Sequence, residues 1–127
     1  MSSFNNPATA GAAVTQYAPA IYSSGNVING SAATQRLAGV HQNTISSADF
    51  AAGLVATSVA NGQGIKCKVD GSGTAVVAGD LLMIGTGKLV KYVATTGNIA
   101  VAVALEPIDA DGVIRIMTTP GIPAEPA

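Results

Sequence analysis

Short apolar segments separated by Gly- and Asp-containing turns fill residues 79–119, and they constrain the fold more than any other part of the chain. The apolar segments 81–84, 99–105 and 113–118 are rich in Val, Ile, Leu and Ala. Two glycines lie in the turn at 85–87, and two aspartates and a glycine lie in the turn at 109–112. Short strands that alternate with turn signals are typical of a small β-barrel or sandwich. The sequence therefore predicts an all-β fold.

Residues 65–70 carry the clearest strand pattern in the chain. Ile, Cys and Val alternate there with Lys, Lys and Asp. Because successive side chains of a strand point to opposite faces, this pattern predicts a half-buried strand with the lysines facing solvent. Further strands are predicted at 74–78 and 88–94.

Residues 48–61 allow two interpretations. Ser47 could cap a helix with Phe50 and Leu54 on one face. The Val- and Thr-rich composition of 54–60 favours a strand instead. A weak internal repeat supports the strand, because residues 52–62 and 111–121 both place an apolar segment between glycines. The repeat suggests that residues 37–62 and 79–119 are two halves of one barrel, joined by residues 65–78.

The composition indicates a surface that is polar but carries little charge. Only 10% of the 127 residues are charged, whereas an ordinary soluble domain has roughly 25%. Hydrophobic residues make up 48%, which is enough for a core. The net charge of −1 offers no basic patch of the kind that nucleic acid needs, so we expect no nucleic-acid partner. A surface covered by protein partners in a large assembly suits this composition.

Residues 1–35 contain no Lys, Arg, Asp or Glu. Such a segment could be a disordered tail. It could instead be an extended arm that orders on a partner, and its spaced apolar residues favour the arm, because an inert linker would not need them. The chain is thus predicted to divide into an extended N-terminal arm (1–35), a β-barrel domain (36–119) and a Pro-rich C-terminal tail (120–127). The predicted anchors of the arm are Phe4, Val14, Tyr17, Ile21, Tyr22, Val27 and Ile28.

The residues that catalysis or metal binding would require are sparse. His41 is the only histidine, and no G-x-S-x-G motif accompanies it. Cys67 is the only cysteine, which excludes an intramolecular disulfide and a Cys-based zinc site. Asp109 and Asp111 resemble a fragment of a calcium loop, but the further ligands do not follow, so a turn is favoured. We therefore expect no enzyme activity, no metal and no cofactor.

Lys88 follows a glycine at a predicted hairpin, which invites comparison with carrier domains that present a modifiable lysine. The acidic and methionine flanks of those motifs are absent, and a solvated turn lysine is favoured. The N-terminus lacks the basic and apolar regions of a signal peptide. No segment approaches the ~20 apolar residues of a membrane span. We expect synthesis in the host cytoplasm and no membrane partner.

Four motifs in order resemble the capsid decoration, or cement, proteins of tailed phages. They are AGDLL at 78–82, GKLV at 87–90, VAVALE at 101–106 and DGVIRI at 111–116. The resemblance covers residues 37–119 and rests on the order and spacing of the motifs.

This resemblance implies a small β-barrel or β-tulip-like domain on the outer surface of an icosahedral phage head. The protein would bind the major capsid protein, stabilise contacts between its subunits, and form a homo-oligomer, with a trimer favoured. The arm anchors would contact the capsid. Two alternatives stay open: another virion component, such as a minor spike or fibre base, and a small carrier or binding module that uses Lys88. A hydrolase is the least favoured.

Overall fold

The computed structural model describes the backbone of residues 3–123 and the side chains of residues 5–119. Within this range the protein is almost entirely β, which confirms the predicted fold class. The elements are β1 (Ser3–Thr9), β2 (Pro19–Ser23), β3 (Asn26–Asn29), β4 (Gly39–His41), α1 (Ser47–Ala51), β5 (Ala56–Asp70), β6 (Leu81–Ile84), β7 (Leu89–Lys91), β8 (Ile99–Ala104) and β9 (Asp111–Pro123).

Five strands close into a barrel in the order β5, β7, β6, β8 and β9, with β9 pairing back onto β5. All neighbours are antiparallel except β5 and β7, which run parallel. Closure leaves the barrel without a free strand edge. Its interior is filled by fully buried aliphatic side chains, including those of Leu82, Ile84, Leu89 and Ile116.

The N-terminal strands form a second, rolled sheet in the order β3, β2, β4, β5 and β1, which uses the first half of β5. The two ends of this sheet meet, because Ala10 forms a parallel bridge with Val27 and the N–H of Gly11 donates to the carbonyl of Val27 at 2.9 Å. Val27 and Val59 are fully buried inside the roll with small alanines around them.

β5 belongs to both sheets. Gly62 and Gly64 have positive φ values of 118° and 81°, and the pairing with β9 shifts register between Gln63 and Ile65. A bulge of this kind bends a strand and increases its twist. The first half of β5 therefore joins the rolled sheet and the second half joins the barrel. The core is continuous across the junction, because Ile21, Val40 and Ala60 pack in the same buried cluster as the barrel interior.

β1, β2 and β3 fall within the predicted arm. β1 pairs with β5, β2 pairs with β4, and β3 pairs with β2. In this structure the segment therefore packs against its own chain, and its ordering on a partner stays a prediction. The spaced apolar residues of the segment meet β4 and β5 of the same chain, so their burial stabilises the sheet from within. At the other end, β9 runs through Pro120 to Pro123, and residues 124–127 lie outside the described range.

Both interpretations of residues 48–61 are partly wrong. A single helical turn, α1, begins after Ser46, whose hydroxyl accepts from the N–H of Asp49 at 3.1 Å. Gly53 ends the turn with φ of +89°. The strand then begins at Ala56 and not at Leu54, and it continues without interruption to Asp70. Capping by Ser46 and a C-terminal glycine explain why one short turn forms here.

Three other predictions are corrected. Residues 74–78 form only a bridge between Val76 and Ile108, because the Asp80 carboxylate accepts from the N–H of Val77 at 2.9 Å and draws the backbone into a local turn. The strand predicted at 88–94 is limited to β7. The two-half barrel is wrong, since β4 pairs with β2 and the first half of β5 in the rolled sheet and contributes no wall to the barrel.

Candidate functional site

The predicted arm anchors do not form one exposed surface. Val14, Ile21 and Val27 are buried, and Ile28 is half-buried against the main core. The structure describes the backbone of Phe4, which pairs with Asn61, but its side chain lies outside the described residues. The buried anchors cannot reach a partner in this conformation. For the exposed anchors of the group, the assignment as capsid contacts stays a prediction.

Tyr22 is the exposed anchor of the group, with 65% of its surface accessible. It lies on the β2–β3 hairpin and lines a shallow depression together with Ile21, Ile28, Gln35, Arg36 and Leu37. We call Tyr22, Ile28 and Leu37 the hairpin face. It combines one exposed aromatic ring, a residue type that protein interfaces favour, with two aliphatic side chains that are partly buried against the core.

Tyr17, another predicted anchor, lies beside the barrel and not on the hairpin face. It lines a depression on the outer side of β5 and β9, where Lys66 and Arg115 are cross-strand neighbours. Its φ of +69° is in the left-handed region, which is unusual for a bulky residue. The N–H of Tyr17 donates to the carbonyl of His41, and its carbonyl accepts from the N–H of Lys68, both at 2.8 Å. These two bonds hold the backbone in its strained conformation.

Lys88 is held in an ion-pair cluster at one end of the barrel. Its Nζ lies 3.1 Å from a carboxylate oxygen of Asp70 and 3.4 Å from one of Asp111. Hydrogen bonds from Ser72, and then the contact with Lys88, lower the pKa of Asp70 to about 2. The same carboxylates raise the pKa of Lys88. A lysine held this way joins β5, β7 and β9 as a charged group, which does not favour the carrier hypothesis.

His41 is fully buried in the rolled sheet. Neither ring nitrogen has a hydrogen-bond partner in the described chain. Burial lowers the pKa of the imidazole, and the nearby backbone carbonyl of Ile28 opposes this shift without reaching hydrogen-bond geometry. A ring enclosed in this way is a neutral core residue, inaccessible to a substrate.

The remaining sequence candidates occupy structural positions. Cys67 is buried in the barrel interior, where burial raises the pKa of its thiol. Asp111 pairs with Lys88, and Asp109 lies in the exposed loop before β9. Among residues 3–123, no three His, Cys, Asp or Glu side chains are grouped to hold a metal ion. In the same range, no helix is long and apolar enough to cross a membrane.

The outer face of β5 and β9 is the feature that the sequence prediction missed. Lys66 and Lys68 were expected to face solvent, but their strand partner was unknown. β9 places Arg115 opposite Lys66 and exposed Val113 opposite Lys68. The alternation in 113–118 could have shown that Arg115 faces outward. The pairing of the two strands, which creates the cluster, is a property of the barrel topology.

Comparison with solved structures finds a likeness over almost the whole chain. The matched chain is described as the head fiber gp8.5 N base in bacteriophage phi29, known from a crystal structure. The TM-score is 0.63 at 18% sequence identity, and the match covers 95% of this chain and 98% of that chain. At this identity the likeness concerns the fold. No protein-family model matches the sequence, and no curated protein matches it.

Proposed function

We propose that this protein is a structural component of a bacteriophage virion that binds the outside of the head. The observation that carries the proposal is the end-to-end likeness to the N base of a phage head fiber, which spans 95% of one chain and 98% of the other. Because the match includes the rolled sheet as well as the barrel, the two chains share an entire architecture and not only a common small barrel. The four cement-like motifs in residues 78–116 point to the same setting.

In its first form, the proposal is a cement protein that stabilises contacts between subunits of the major capsid protein. The compact barrel, the small number of charges and the exposed hairpin face suit a protein that is covered by partners. The role is non-enzymatic, and the protein acts as a homo-oligomer, with a trimer favoured.

The second form is the base module of a head fibre, which attaches a longer appendage to the shell. The likeness to the N base of a head fiber supports this form. A base module and a cement protein would share head binding. A fibre base would carry a shaft on its outer end, whereas a cement protein would make the shell more stable.

Cryo-electron microscopy of the phage whose genome encodes this chain tests the proposal. We expect density for the two-sheet fold on the outer surface of the head. Heads without the protein would disrupt at lower temperature if it is cement, whereas a fibre base would leave head stability unchanged and would show a shaft extending from its outer end. Absence of the chain from purified virions, or a position inside the shell, would contradict both forms.

A further inference from the structure

The outer face of β5 and β9 gathers three cations. Lys66 and Lys68 alternate along β5 with Ile65 and Cys67, which fill the barrel interior. The two lysines therefore point outward. Arg115 lies directly opposite Lys66 on β9. We call Lys66, Lys68 and Arg115 the basic face. In a chain with only six Lys and Arg residues, this face holds half of them.

Charge pairing separates the basic face from the other lysines of the barrel. Lys88 lies 3.1 Å from Asp70, and Lys91 lies 3.6 Å from Asp80. In the described part of the chain, no carboxylate lies within ion-pair distance of a cation of the basic face. Like charges on directly opposed strand residues are destabilising. The opposition of Lys66 and Arg115 therefore weakens the isolated barrel, and an external anion would relieve it.

The surroundings of the basic face indicate what kind of anion fits. Exposed Val113, at 45% accessibility, and half-buried Tyr17 lie among the cations. Glu106 lines the same depression, and its carboxylate accepts from the backbone N–H of Arg115 at 2.7 Å. The strained backbone of Tyr17 fixes its position beside Lys66, and strain of this kind concentrates at functional positions.

We propose that the basic face docks against an acidic protein surface, which in the proposed function is the exterior of the phage shell. Three cations around an aliphatic side chain match a carboxylate-rich protein surface with apolar contacts between its charges. A phosphate backbone suits the face less well, because the three cations form no continuous groove along which it could run. This inference rests on the proposed function only for the identity of the partner; the preference for carboxylates is a property of the barrel.

The first experiment tests the carboxylate preference without the virion. The full chain is titrated with poly-L-glutamate at low salt and followed by amide NMR. We expect shifts confined to the strands that carry the basic face, and about tenfold weaker binding by K66Q/R115Q. The control K88Q/K91Q removes two cations from other positions and should bind like the wild type. Equal binding by both double variants, or stronger binding to single-stranded DNA than to poly-L-glutamate, would overturn the proposal.

The second experiment uses heads that lack the protein. Wild type and K88Q/K91Q should bind these heads with an affinity that falls as salt increases. K66Q/R115Q should bind more weakly at low salt and show a shallower salt dependence, since it lacks the charge pairs that salt screens. Unchanged head binding by K66Q/R115Q would overturn the basic face as the docking surface while leaving the proposed function intact. Failure of the wild type to bind heads would contradict the proposed function, and the poly-L-glutamate titration would still decide the carboxylate preference.

Discussion

Gly71, which directly follows β5, lies against the backbone of the loop before β9. A methyl group at this position would overlap the carbonyl oxygen of Ile108 and lie 3.2 Å from the Cα of Asp109. The N–H of Gly71 also donates to the carbonyl of Ala110 at 2.9 Å, which prevents the backbone from moving away. The close approach therefore requires glycine. Gly73, two residues later, has open space around the same position.

We expect Gly71→Ala to lower the free energy of unfolding by about 1–3 kcal/mol, because the added methyl group must displace backbone. Gly73→Ala is the matched control and should leave stability unchanged or raise it slightly through the unfolded state. Urea denaturation of the two variants measures the difference. Equal stabilities would contradict the close packing of this loop.

His41 makes the stability of the rolled sheet dependent on pH. The imidazole of His41 is neutral in the folded protein, since burial lowers its pKa below the ordinary 6.5. The unfolded chain therefore binds more protons than the folded chain once pH falls below 6.5. The strands β2 and β3 and the first half of β5 contribute no charged side chain that could compensate a protonated ring.

Stability should be fully present above pH 6.5 and should decrease below it, by up to about 1.4 kcal/mol per pH unit, until the lowered pKa is reached. Because His41 is the only histidine, His41→Leu should remove this slope while keeping a buried side chain of similar size. Urea denaturation between about pH 5 and about pH 8 measures it. A wild-type slope that persists in His41→Leu would show that another group is responsible.

At the scale of elements, the β2–β3 hairpin joins the N-terminal segment to the rest of the fold. Ser24 and Gly25 both have positive φ, at 52° and 82°, as a two-residue primed turn requires. The strands on either side bring Ile21 into the main core, and β2 continues the sheet to β4. The hairpin is therefore part of the folded unit as well as the carrier of the exposed Tyr22.

Deletion of residues 1–35 should destabilise the whole protein and not only its attachment. The deletion removes β1, β2 and β3, leaves β4 and the first half of β5 paired only with each other, and takes Ile21 out of the core. The loss of one buried Ile alone costs about 2–5 kcal/mol. Thermal unfolding monitored by circular dichroism measures the effect. A truncated chain that melts like the wild type would contradict the shared core.

Tyr22→Ser separates folding from attachment and serves as the control for the deletion. Because Tyr22 is exposed, its replacement should change stability by no more than about 0.5 kcal/mol. A defect in head binding by Tyr22→Ser would then report on the hairpin face itself.

At the scale of the whole molecule, the sequence predicts the barrel better than the rolled sheet. Alternation in 65–70 and the apolar segments before and after Pro107 identify β6, β8 and most of the barrel wall, since local pattern and burial agree there. In residues 1–35 no hydrophobic periodicity continues long enough to predict a strand. The pairing of β1 with β5 also joins residues that are distant in sequence. The Ser24-Gly25 turn between apolar residues is the local signal that could have revealed the hairpin.

The candidate surfaces follow the same division. The outward orientation of Lys66 and Lys68 could be read from the strand pattern, whereas the basic face needed the register of β5 against β9. The burial of Val14, Ile21 and Val27 could not be read from their spacing, because an exposed arm and a buried sheet both use isolated apolar residues.

β5 also has a mechanical consequence. A module on a particle surface experiences pulling and shear, and two domains joined by a flexible linker would separate under such a load. Here the load on the barrel passes into the rolled sheet along one continuous backbone, Ala56 to Asp70, which pairs with β1 and β4 in its first half and with β9 in its second half. The barrel and the rolled sheet therefore share one load path through β5, which bends at the bulge between Gly62 and Gly64.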